Sequence, residues 1–219
     1  MLSRPQNFRL NPRSPLARGL VFAGLGQGCA GTPRFYDSCA GVIHAGNHGL
    51  LTNMDPATDC VFSPELGRWG LRFAKASDQS VNTTANLPAL LLGQSAAQGC
   101  WIKTTQSDDF IGVLTRYDGA KGLLLEISGG KLRVWCNAKV FCSAASVNDD
   151  VWHHVLVQRI GQTATCYIDG KPDGTVTDPV VDDAIPACVA RLGWWGGISS
   201  DFDGKLSDAC FYDRALALP

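Results

Sequence analysis

Glutamate is nearly missing from this chain: of 219 residues only Glu65 and Glu126 carry that side chain. A retaining glycosidase holds two carboxyl groups about 5–5.5 Å apart on one face, and no strand of this chain carries two glutamates to supply them. Charge is also sparse, at 18% of residues against 45% hydrophobic, which excludes a disordered chain. No apolar run reaches the roughly 20 residues that cross a bilayer as a helix. The first ten residues, Met1 to Leu10, lack the continuous apolar stretch of a secretory signal, so none is expected. There is no Gly-x-Ser-x-Gly elbow and no Cys-x-x-Cys pair, which leaves serine hydrolases, zinc ribbons and thioredoxin-like sites without support. An enzyme is not expected.

Cysteine, by contrast, is abundant. The nine cysteines form an odd set, so at least one thiol is free or pairs with another chain. The net charge of −1 is unevenly spread, because Arg4, Arg9, Arg13, Arg18 and Arg34 all precede the first acid, Asp37. Residues 1–16 therefore read as an extended basic arm, with Arg4, Arg9 and Arg13 suited to docking on an acidic partner surface. Residues 17–219 read as one domain, a size that β sandwiches often reach as a single unit. Five scattered arginines do not make a nucleic-acid surface, so no nucleic-acid partner is expected.

From Trp69 onward short alternating segments are separated by turn residues. Strands are expected at 71–73, 100–103, 110–116, 123–127, 131–136, 151–160, 163–168, 189–192 and 206–212. Tyr117-Asp-Gly119, Ser128-Gly-Gly130, Ile160-Gly-Gln162 and Asp169-Gly170 stand where hairpins need turns. Leu87 to Leu92 reads as a helical turn. The glycines from Gly24 to Gly31 read as loop formers, since no helix follows them to make a phosphate-binding loop. The whole is antiparallel β.

Several of these segments resemble a known family. Trp152-His-His-Val155, Tyr167-Ile-Asp-Gly-Lys171, Phe202-Asp-Gly-Lys-Leu206 and Tyr212-Asp-Arg-Ala-Leu216 look like the C-terminal half of concanavalin A-like jelly rolls of the laminin-G-like type. Gly67-Arg-Trp-Gly-Leu-Arg-Phe73 and Gly99-Cys-Trp-Ile-Lys-Thr104 resemble its earlier strands, so the likeness runs from about residue 17 to 216. It implies an all-β, antiparallel jelly-roll sandwich. It does not choose among adhesion modules, glycan-binding modules and phage virion proteins, which share the fold.

The candidate sites are few. Adjacent His153 and His154 point to opposite faces of a strand, and the resemblance implies a structural role for them. The pairs Asp108-Asp109, Asp149-Asp150 and Asp182-Asp183 read as solvated turn charges. Some laminin-G-like domains bind calcium, and Asp201 and Asp203 offer two oxygens of suitable parity, but calcium takes six to eight. Trp194-Trp195 is the candidate sugar platform. Strand parity puts Cys136, Cys166 and Cys188 in the core, leaves Cys100 unassigned, and leaves Cys29, Cys39, Cys60, Cys142 and Cys210 as exposed candidates for disulfides. Thiols without a signal, together with a basic arm, point to a virion protein made in the host cytoplasm. Such a protein would decorate or cement a phage capsid as a disulfide-linked homo-oligomer, against the major capsid protein or other virion proteins, with no cofactor required. The alternative is an extracellular lectin-like adhesion module on a host-surface glycan, with or without calcium. Neither reading involves a membrane.

Overall fold

The computed structural model describes residues 20–24, 34–35, 48–194 and 201–217. The expected arm with Arg4, Arg9 and Arg13, the glycine loop at 25–31, Cys29, Cys39 and Trp195 lie outside the described residues.

The strands, in chain order, are β1 (Leu20–Gly24), β2 (Arg34–Phe35), β3 (Gly49–Thr52), β4 (Cys60–Ser63), β5 (Arg68–Phe73), β6 (Ser80–Thr83), β7 (Ala96–Lys103), β8 (Ile111–Tyr117), β9 (Gly122–Ser128), β10 (Lys131–Cys136), β11 (Lys139–Ser146), β12 (His153–Ile160), β13 (Thr163–Ile168), β14 (Lys171–Thr177), β15 (Ala190–Leu192) and β16 (Gly204–Tyr212). They form two antiparallel sheets. In the first the order is β14-β13-β12-β7-β16-β5-β4, with β1 also pairing β16; in the second it is β11-β10-β9-β8-β15-β6-β3-β2. This is the jelly-roll sandwich that the hairpin pattern implies.

Alternation builds the layers. On β10, Leu132, Val134 and Cys136 are buried while Lys131, Arg133 and Trp135 are half-buried on the other face. The same period places Leu123, Leu125 and Ile127 of β9 and Ile102 of β7 in a shared core with Leu71 and Leu206. Phe22 meets Phe211 edge-on at 5.9 Å, and Phe73 meets Phe202 at 5.8 Å. Each fully buried side chain of this size contributes about 1.5–3 kcal/mol. The turns follow residue chemistry: Gly129 and Gly130 have φ of 58° and 75°, the left-handed pair that a two-residue hairpin requires.

Three expectations need correction. Leu87–Leu92 is not helical; Leu87 bridges Cys188 and Leu90 bridges Ile185, both leucines are buried, and a turn closed by Gln94 N on the Leu91 carbonyl follows. Cys60 is not in a loop: it opens β4 opposite Leu71, is buried, and is disulfide-bonded. Cys142 lies within β11 rather than near a turn.

Two arginines lie inside the fold, which polar patterning alone does not suggest. Arg159 is fully buried and donates to the carbonyls of Gln94, Val181 and Asp183 at 2.7–3.2 Å. Arg116, equally buried, reaches the Pro88 carbonyl, and burial lowers its pKa to about 10. Together they tie the segments before β7 and before β15 to the sheets.

Candidate functional site

Trp152-His-His-Val155 puts its two imidazoles in different settings. His154 stacks edge-on against Trp101 at 5.3 Å, and burial lowers its pKa. His153 bridges Asp169 through Nδ1 at 2.8 Å and Asp149 through Nε2 at 3.1 Å. Burial opposes its charge, but the two carboxylates outweigh it and hold His153 above the usual histidine value. The resulting stability is full below the ordinary histidine pKa and is lost as pH rises through the raised one. Thermal melts are thus expected to show wild type losing its advantage over His153→Gln from about pH 6.5 upward; parallel pH profiles would remove the bridge from the account.

The acidic candidates do not converge. Asp201 is buried beside Asp78, and burial first, then the Asp78 carboxyl, raises its pKa. Asp203 is exposed, and between them Phe202 enters the core. No group of three or more potential metal ligands occurs among the described residues. The donor set does not fit the six to eight oxygens calcium takes, so no role is built on it.

The cysteines divide sharply. Cys100, Cys136, Cys166 and Cys188 are free and buried. Burial pushes Cys136 up to about 11 and Cys166 up to about 12, which makes both poor nucleophiles. Cys142 is free and exposed, and Cys210 is half-buried.

The outward face of the second sheet is where side chains gather. Register aligns Leu50, Asn82, Arg191, Thr115, Leu124, Trp135 and Val140 in a single row across β3, β6, β15, β8, β9, β10 and β11. Around the middle of that row Phe110, Tyr117, Leu124, Glu126, Arg133 and Trp135 line a cup of about 210 Å³. Its volume is below the roughly 300–1,000 Å³ of sites for drug-sized ligands and suits a single ring. Tyr117 and Trp135 meet edge-on at 5.4 Å with an interplanar angle of 83°. Gly122, opposite Tyr117 on β9, makes this possible: a Cβ there would stand 3.0 Å from Tyr117 Cδ2 and 2.3 Å from the Arg116 carbonyl.

The other end of the cup is ionic. Arg133 pairs with Glu126, which is 2% exposed, and the guanidinium lies 4.8 Å from the centre of the Phe110 ring. Phe110 has φ of 63°, a conformation that costs an aromatic residue of order 1–3 kcal/mol. The strained backbone holds the ring over Arg133. The cup thus offers aromatic faces, a fixed donor and a fixed acceptor around an apolar floor. Its lining has one carboxylate, already paired, whereas glycoside hydrolysis needs two.

Trp194, a sequence candidate, joins this face: its carbonyl accepts from Thr115 Oγ1 at 3.3 Å, and Arg191 lies 5.9 Å from the centre of its ring. Tyr117, Trp135, Phe110, Glu126 and Arg133 were not singled out by sequence, since their proximity depends on register across three strands. Two wider depressions, of about 340 and 330 Å³, lie around Lys103 and Asp150 by the opposite sheet. The second holds Trp101 and Trp152, with Lys103 engaged by Glu65 at 3.1 Å.

Fold and face define a jelly-roll sandwich with an aromatic, ion-paired recess on one sheet. The chain belongs to the concanavalin A-like lectin/glucanases superfamily, whose family profile matches residues 75–218. No curated protein matches it in sequence. Among solved structures it is similar to the binding domain of Paraclostridial Mosquitocidal Protein 1, at 14% identity and a TM-score of 0.67 over 91% of this chain and 50% of that one. It is also similar to a structure of botulinum neurotoxin type C, a toxin whose cell entry depends on interaction with two ganglioside molecules, at 10% identity and a TM-score of 0.63 over 91% of this chain and 49% of that one. A heptameric SAP-like pentraxin from Limulus polyphemus aligns at 21% identity and a TM-score of 0.50, over 63% of this chain and 71% of that one. The chain spans about half the length of the toxin structures it resembles. At these identities the likeness concerns fold.

Proposed function

We propose that this protein is a non-enzymatic, lectin-like module that binds glycan on the outward face of its second sheet. The observation that carries the reading is the Tyr117–Trp135 pair set beside the buried Glu126–Arg133 pair in one ring-sized cup. Aromatic faces take the apolar C–H surface of a sugar, while a fixed donor and acceptor take its hydroxyls. A toxin binding domain of the same fold, and a structure of a toxin whose cell entry depends on two ganglioside molecules, support a recognition role without identifying a ligand. The test is binding of the full chain to a panel of immobilised oligosaccharides. Saturable retention of some members is expected, and no retention across the panel would refute the proposal.

Capsid decoration is the second reading, and the exposed thiol of Cys142 is what favours it. A cross-link through this residue predicts that oxidised protein, its thiols blocked at lysis, runs partly as a dimer on non-reducing electrophoresis. That dimer should collapse on reduction and disappear in Cys142→Ser. Its persistence in the variant would place the bridge elsewhere.

A further inference from the structure

Arg191 stands out among the sheet arginines whose side chains are described. Arg68, Arg72 and Arg133 each face a carboxylate, and Arg116 and Arg159 are buried against carbonyls. Arg191 is half-buried on the outward face and has no carboxylate partner among the described residues. Its contacts are a long 3.5 Å bond from Nη1 to the Tyr117 carbonyl and the Trp194 ring at 5.9 Å. Its neighbours in the cross-strand row, Asn82 and Thr115, are uncharged.

The position of this unspent cation matters. Strands lie about 4.8 Å apart, which puts Arg191 roughly 14 Å from Trp135 at the backbone. The guanidinium spans the first of those three strand spacings, where it reaches the backbone carbonyl of the residue whose ring forms the wall of the cup. A planar guanidinium presents paired N–H donors that match a carboxylate or a sulfate in two parallel bonds. The other cation here, Arg133, is already committed to Glu126 and Phe110.

We infer that the preferred ligand is an anionic glycan, with a sugar ring in the cup and a carboxylate or sulfate on Arg191. The inference rests on the reading of this face as a glycan site. Titrate the full chain with three oligosaccharides of one backbone: neutral, carrying a terminal carboxylate sugar, and sulfated. Wild type should bind one anionic member about tenfold more tightly than the neutral one, or better. Which member wins distinguishes carboxylate from sulfate. Arg191→Gln should bring anionic affinity down to the neutral value, and Arg191→Lys should keep part of the preference.

Equal affinity of wild type for all three, or a preference that survives Arg191→Gln, overturns the inference while the glycan reading stands. No binding to any probe overturns both. The comparison in wild type requires no variant, so a misfolded Arg191→Gln would not rescue the idea. Raising salt should erode the anionic preference and spare neutral binding; a salt-independent preference counts against Arg191.

Discussion

Arg159→Ala is expected to lower the melting temperature by about 10 °C, the largest effect of any single substitution outside the apolar core. The guanidinium donates four bonds to three carbonyls, and Gln94 takes two of them, at 2.7 and 3.2 Å. Truncation removes them all, leaves a cavity, and orphans the Gln94 carbonyl at about 1–3 kcal/mol, while the Val181 and Asp183 carbonyls keep Asn137 Nδ2 as a donor. Loss of the buried charge offsets part of this, because taking a cation out of water is itself unfavourable. A net loss of about 3–5 kcal/mol corresponds to roughly 10 °C for a chain of this length. Arg159→Lys keeps the charge but only a compact donor, so it should recover less than half. Differential scanning calorimetry decides the matter, and an alanine variant within a degree or two of wild type would show that the segments around Gln94 and Asp183 hold themselves in place.

Trp135→Ala should reduce glycan affinity by roughly thirtyfold or more, as expected when a central aromatic anchor worth about 2 kcal/mol is removed. The fold should register far less. The ring lies on the outward face, where its edge-on contact with Tyr117 is worth about 0.5–1.5 kcal/mol. A drop in melting temperature of a few degrees beside a collapse in binding is therefore the signature of a binding residue. Isothermal titration with the best ligand from the panel, run beside a thermal melt, reads both. Binding within twofold of wild type would move the site off this face.

Much of the sandwich is legible in local sequence, because alternation and turn chemistry act over a few residues. Lys131 to Cys136 reads as a strand with Leu132, Val134 and Cys136 inward, and so it is. The edge strands β11 and β14 were invisible for the converse reason. Lys171–Thr177 is mostly exposed and polar, and Lys139–Ser146, though largely apolar in composition, is mostly exposed, so neither carries an alternating buried face, and edges need none to pair. Cys60 was misplaced because β4 has four residues, too short to show a period, and its burial comes from pairing with β5. Arg116 and Arg159 defeat the rule that charge faces water, since their partners are carbonyls of distant segments. The cup is the extreme case. Tyr117 and Trp135 meet only because the register across β8, β9 and β10 is offset by the bulge between Gly112 and Leu114.

The six residues of the cup all fall between Phe110 and Trp135, within one uninterrupted β8–β9–β10 meander, whereas Arg191 arrives on β15 from a distant stretch of the chain. The two contributions are thus genetically separable. A recombination that exchanged the meander as a cassette between related sandwiches would carry the shape of the recess with it and leave the choice of charge behind. A point change at Arg191 would do the reverse, so one scaffold can diversify what it recognises along two independent axes without disturbing the layer beneath.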